Sequence, residues 1–336
     1  MEHLSNLLLV SGGYGITVIA SCGIILNILG ILILFKEKGR QRIFNYLLSS
    51  LLIFDTLFLF FSLAKSVATH FIAIRDEYLN LYASFVSPGL RCTIVCSVLM
   101  TVAISHSRFV AVTHPIVHRN SLASQKDRVK YLLKYIIPII IISVILTLPS
   151  FWEYEVKQYG KSKVLVPTSF RLHPYYTVLY VEILSIGILG IIPFCLLVFF
   201  TVSISKGIRK NSIDIDTLTP SQQKEIRIFN QAHRRTMVVK LISLFFLGFD
   251  FLRLAFRFTV IFLQVQLLNN KPRIYEIQCD INFWLKLLSS VSGLLLVLNS
   301  SLNVVIYFGV NKIYMCTNKN SKHIIIASLR QTSTSL

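Results

Sequence analysis

Seven apolar runs, separated by polar connections, account for most of the chain. They fall at about Tyr14–Phe35, Phe44–Ala68, Pro88–Thr113, Tyr131–Phe151, Tyr176–Ser205, Thr236–Gln266 and Phe283–Val310. A hydrocarbon core about 30 Å thick takes about 20 residues of helix to cross. Its interior offers no partner to a free backbone amide, so a run of this length crosses as a helix that bonds itself internally. The pattern predicts an all-α integral membrane bundle of seven helices. Residues 1–13 then form a short leading segment, 14–310 the seven-helix domain and 311–336 a short tail. No internal repeat suggests a transporter built from inverted halves.

The connections give the direction of crossing. Lys36–Arg42 carries four basic residues and one acid, Arg108–Lys134 six and one, Lys206–Lys240 eight and three, and the residues after Val310 four and none. These alternate connections hold +17 of the chain's net +19. Positive charge stays on the cytoplasmic side of a membrane, so the N-terminus is expected outside and the C-terminus inside. No basic region or small-residue cleavage site precedes the first run, so no removable signal peptide is expected.

Composition agrees: 54% of residues are hydrophobic and only 15% charged, against about a quarter charged in soluble domains. On a soluble domain the basic excess would point to nucleic acid. Here it lies between apolar runs, so membrane lipid is the partner and nucleic acid is not. The six cysteines sit mainly inside the runs, which excludes a disulfide-stapled secreted domain.

Ionisable groups at membrane depth cost about 2.5–3.5 kcal/mol on insertion scales and should be paired, hydrated or functional. Asp55 lies near the middle of the second run, with Asn27, Ser97, Asn299, Ser300 and Asn303 at comparable depth in runs one, three and seven. One acid among neutral oxygen and amide groups suits a hydrated monovalent cation; a structural hydrogen-bond network locking the helices is the other reading. In run six, Asp250, Arg253 and Arg257 are spaced by three and four and share a helical face. Asp250 can pair with Arg253, and the face should look into the bundle. Glu182 lies about 16 Å outward of Pro193, and Lys65 about 15 Å outward of Asp55, by the helical rise. Lys65, Glu182, Asp250, Arg253 and Arg257 are therefore the candidate ligand-facing residues. Internal salt bridging, or snorkelling of Lys65 to the headgroups, accounts for them equally simply.

At the inner end of run three stands SHSRFVAVTHP. An Arg at a helix end, an aromatic beside it, then Ala-Val and a Pro resembles the rhodopsin-like G-protein-coupled receptors, whose motif is an acid, Arg and Tyr followed by the same residues. The match is Arg108, Phe109, Ala111, Val112 and Pro115, with Ser107 where the acid usually stands. Other landmarks fall in register: Asn27 in run one, Leu51 and Asp55 in run two, Pro193 in run five, and Asn303 and Tyr307 in run seven, where Val304 replaces a proline. Pro138, Pro149 and Glu153, the stretch LVLNSSLNVVIYF, and Arg253 look most like invertebrate FMRFamide-type neuropeptide receptors.

The resemblance implies an extracellular peptide ligand, a heterotrimeric G protein as partner, and a plasma-membrane location. It implies roles in coupling and activation for Arg108, Phe109, Asn303 and Tyr307, and an allosteric sodium pocket at Asp55, Ser97, Asn299 and Asn303. No other cofactor and no catalytic residue is expected. Cys316, just after run seven, is a candidate lipidation site. His114 and His118 are four apart, but Pro115 interrupts their face and no third metal ligand is apparent.

The chain also departs from the family pattern. The cysteine usual at the top of helix three falls at Ala83, and Phe151–Tyr175 contains no cysteine to partner it. The Cys-Trp-x-Pro of helix six reads Phe249, Asp250, Phe251, Leu252. These losses keep a chemosensory receptor for a small molecule as an alternative, with a transporter or channel a more remote one.

Overall fold

The computed structural model describes residues 13–36, 42–70, 76–114, 116, 118, 124–159, 162–173, 176, 180, 187, 190–210, 236–252, 254–256, 258–259, 287–288 and 290–309. Glu182, Arg253, Arg257 and Cys316 lie outside them.

Helix α1 spans Ile16–Lys36 and buries Ala20, Gly23, Asn27, Gly30 and Leu34. Steps of three and four put these on one stripe, and the remaining apolar surface, such as Val18, Ile25, Ile28 and Leu32, faces outward. Only lipid makes that outer surface inexpensive. Helix α2, Arg42–His70, buries Phe44, Leu47, Leu48, Leu51, Asp55, Phe58 and Leu59 by the same spacing. A short helix, Asp76–Leu81, and a π turn, Tyr82–Val86, lead into α3, Ser87–Thr113. α3 is buried on several faces because α2 and the two helices that follow all pack against it.

Helix α4, Gln125–Thr147, starts six residues before the predicted run. The reason is a capping box: the Lys126 amide donates to Ser124 Oγ at 3.3 Å, and the Ser124 amide to Asp127 Oδ2 at 3.2 Å. Its last turn tightens into a 3-10 turn, Leu148–Trp152, with Pro149 near the start. α4 buries just Ile139, Ser143 and Thr147, leaving Ile137, Ile141 and Ile145 exposed.

The chain then forms an antiparallel hairpin, β1 Tyr154–Tyr159 and β2 Ser162–Pro167, with Tyr154 opposite Pro167 and Tyr159 opposite Ser162. This adds a small sheet to a fold expected to be all-α. Helices α5, Ile192–Lys210, α6, residues 236–252, and α7, Ser290–Gly309, complete the described fold. Among the described residues five helices are long and apolar enough to cross a membrane, at Gly13–Lys36, Ile43–Ala68, Tyr78–Thr113, Gln125–Trp152 and Ser290–Gly309.

Two apolar clusters form the core. One holds Leu47, Leu51, Met100, Ile104, Val238, Ile242, Val304 and Tyr307. The other holds Ala20, Phe58, Leu59, Val98, Leu197, Phe246 and Val297. Along α2, α3 and α7 the buried polar residues Asp55, Ser97, Asn299 and Asn303 fall where one cluster gives way to the other.

Candidate functional site

The polar layer is built around Asp55, which is fully buried. Ser97 Oγ of α3 donates to its Oδ1 at 2.5 Å, and Asn303 Nδ2 of α7 donates to its Oδ2 at 2.8 Å. One carboxylate thus joins three helices, and both oxygens accept a bond. The sequence reading brought these residues to one depth, and the structure brings three of them into contact. Asn299 is buried nearby on α7, with no hydrogen bond to Asp55 among the described residues. Asn27 works elsewhere: its Nδ2 donates to the Ser300 carbonyl at 3.2 Å, tying α1 to α7. Ser301 Oγ reinforces that seam by donating to the Ile19 carbonyl at 3.5 Å.

At the basic end, the Arg108 guanidinium lies over the Phe44 ring of α2, 4.0 Å from its centroid. With Ser107 in the acid's place, an aromatic face offers the cation a partner, an interaction of about 0.5–2 kcal/mol depending on desolvation. Ser107 faces α4 instead and shares a 3.1 Å hydrogen bond with the Tyr131 hydroxyl. His106 Nδ1 and the Tyr135 hydroxyl pair alongside at 2.9 Å. One turn from Arg108, the Ser105 and Ser243 hydroxyls are 3.0 Å apart and link α3 to α6. Phe109 rests against Phe199 and Phe200 of α5, with centroids at 5.8 and 5.6 Å. Tyr307 is buried in the cluster at this end. His118 sits edge-on to Tyr131. Burial, then the nearby Arg108 charge, lowers its imidazole to about 4, so it is neutral at physiological pH.

The opposite end is organised by Glu153, just beyond the 3-10 turn, with its side chain wholly buried. Arg91 of α3 meets it with both arms, Nη1 to Oε1 at 2.5 Å and Nη2 to Oε2 at 2.7 Å. Arg171, four residues past β2, pairs with Oε2, and the Tyr176 hydroxyl donates to Oε1 at 2.7 Å. A carboxylate has about four lone-pair sites, and these four donor contacts use them. The Glu153 backbone takes part as well, its carbonyl accepting from the Thr168 amide at 3.0 Å. Arg171 also lies over the Tyr154 ring at 4.5 Å, and Tyr154 meets Tyr82 edge-on at 6.2 Å. Tyr180 stacks on Tyr176 with centroids 4.9 Å apart.

The ligand-facing candidates are seen in part. Asp250 is buried on α6, whereas Lys65 is exposed on α2. Glu182, Arg253 and Arg257 are outside the described residues. Sequence reasoning missed Arg91, Arg171 and Tyr176 as partners of Glu153. A usable signal was present: Arg91 is a charge inside an apolar run, and such a charge calls for a buried partner.

The profile of the 7 transmembrane receptor (rhodopsin family) matches residues 26–307. The FMRFamide receptor of Drosophila melanogaster is 25% identical over 312 residues, covering 88% of this chain and 50% of that receptor. This chain spans about half the length of the curated relative it matches.

Proposed function

Since the chain belongs to the rhodopsin family of seven-transmembrane receptors, we propose that it binds a short extracellular peptide and activates a heterotrimeric G protein at the plasma membrane. The observation that carries this reading is the buried Asp55 junction of α2, α3 and α7, which lies between the Arg108 end and the Glu153 end. A joint of this kind lets a change at one end bias the packing at the other, provided the ligand binds one arrangement more tightly. Arg108 and Phe109, among the basic connections, would face the G protein, with Asn303 and Tyr307 transmitting the helix movement. The peptide class rests on the likeness to a FMRFamide receptor.

Glu182 and Asp250 are the acids assigned to a cationic ligand residue. Lys65, Arg253 and Arg257 are the cations assigned to its carbonyls or carboxylate. The set Asp55, Ser97, Asn299 and Asn303, a carboxylate with hydroxyl and amide oxygens, fits a sodium ion by donor chemistry. Bound there, sodium would neutralise the acid and favour one packing of the three helices. Cys316 remains the proposed lipidation site.

The test is agonist-dependent G-protein activation in cells expressing the chain, screened with amidated Arg-Phe peptides. A response is expected, and Arg108→Ala should remove it while surface expression is kept. Asp250→Asn should weaken peptide potency by about tenfold or more, as loss of a buried charge partner does. A full response in Asp250→Asn removes that residue from the ligand site. No response to any peptide, from a chain shown to reach the surface, moves the reading to small-molecule chemosensing.

A further inference from the structure

The β1–β2 hairpin packs on Asp76–Leu81 and Tyr82–Val86, at the end of the bundle opposite Arg108, and has no covalent hold, because no cysteine occurs between Phe151 and Tyr175. A two-stranded hairpin has too little core of its own to be stable in water. Packing on Asp76–Leu81 and Tyr82–Val86, with Tyr154 against Tyr82, supports it from one side, and the polar contacts at its base converge on one residue. Arg91 reaches Glu153 from α3. Arg171 and the Thr168 amide reach it from the chain just after β2, and Tyr176 from the start of the fifth apolar run. Glu153 itself immediately precedes β1. Both ends of the hairpin are thereby clamped to the same carboxylate and its own backbone carbonyl.

We propose that Glu153, with Arg91 and Arg171, is the positioning device that pins the hairpin over the bundle mouth and so sets the shape of the ligand entrance. This rests on the reading that the mouth receives the ligand. Glu153 is not the anionic anchor for a cationic ligand, since its oxygens already accept from two guanidinium groups and a phenol. That task falls to other acids.

The geometry separates a tether from a general fold determinant. The hub touches the outer end of α3, the hairpin and the segment after it, but no residue of α1 or α7 among its described hydrogen bonds. Removing one partner of a buried ion pair leaves the others exposed to a large desolvation cost, and the cost should appear as local opening of the hairpin.

The experiment is hydrogen exchange on the purified full-length receptor, which needs no agonist and stays informative if no peptide activates the chain. In Glu153→Gln the paired amides of 154–167 should exchange about 100-fold faster, while those of α1 and α2 stay as protected as in the parent. Arg171→Gln, at a partly exposed side chain, should give a smaller acceleration confined to the same amides, and it carries the test if Glu153→Gln does not fold. Lys157→Gln, which breaks an exposed pair with Glu155 on the hairpin itself, should change nothing. Reductant should leave parent protection intact. Unchanged hairpin exchange in the Glu153 and Arg171 variants overturns the proposal. So does a loss of protection in α1 and α2 equal to that in the hairpin.

Discussion

Asp55→Ala is expected to lower the melting temperature of the purified receptor and to abolish any stabilisation by sodium. The substitution removes the acceptor of two buried interhelical bonds, from Ser97 at 2.5 Å and Asn303 at 2.8 Å. Bonds of this kind contribute about 0.6–1.7 kcal/mol each within a membrane, so a loss of about 1–3 kcal/mol follows. Asp55→Asn keeps the volume and one carbonyl acceptor and should lose less. It removes the charge, however, and a cation held by that charge should leave with it. Thermal unfolding in sodium chloride against choline chloride distinguishes the two roles. A parent protein whose melting temperature is the same in both salts has no sodium pocket, and the hydrogen-bond network alone explains Asp55. An Asp55→Ala protein that melts like the parent removes the network as well.

Gly23→Leu should keep the receptor from reaching the cell surface. A Cβ at position 23 would stand 2.3 Å from Ser301 Oγ, 2.9 Å from Ser301 Cβ and 2.8 Å from Leu59 Cδ1. The hydroxyl can rotate away, but the Ser301 Cβ moves only if α7 moves. Overpacking costs about 1–3 kcal/mol even for modest insertions, and leucine adds three carbons beyond the clashing one. Gly248 provides the contrast, since a Cβ there meets nothing within 4 Å. Gly248→Ala should therefore keep full expression and gain slightly in helix propensity, by up to about 1 kcal/mol. Surface labelling of both variants, with Gly23→Ala in a Ser301→Ala background as a partial rescue, measures the seam between α1 and α7. Normal labelling of Gly23→Leu would mean that the two helices are less tightly joined than the structure has them.

What was legible in the chain follows the strength of each physical constraint. Lipid imposes length and internal hydrogen bonding, so the apolar runs marked the helices well. The first residue of α4 was not marked, because its start depends on Ser124 and Asp127 rather than on hydrophobicity. Asp55, Ser97 and Asn303 were found together because polar groups at one depth have few other partners. Asn299 shares that depth, and depth says nothing of the direction in which a side chain points.

Arg108 was located by its motif, but its Phe44 partner was not, since a cation over a ring depends on tertiary placement. The hairpin went unread because its six-residue strands are a weak pattern beside apolar runs several times longer. The Glu153 hub went unread for a related reason. Its members are spread over Arg91, Glu153, Arg171 and Tyr176, and no spacing in the sequence joins an arginine inside one apolar run to an acid beyond the next.

The bond from Asn27 to the Ser300 carbonyl joins positions 273 residues apart. Helix α1 is thus completed by a helix that leaves the ribosome long after it. At about 5–20 residues per second, Asn27 waits about 14–55 s for its acceptor to be synthesised. Throughout that time the face of Ala20, Gly23, Asn27 and Gly30 has no α7 to cover it. A nascent chain halted before Ser290 carries an open seam of small residues and an amide in search of a carbonyl.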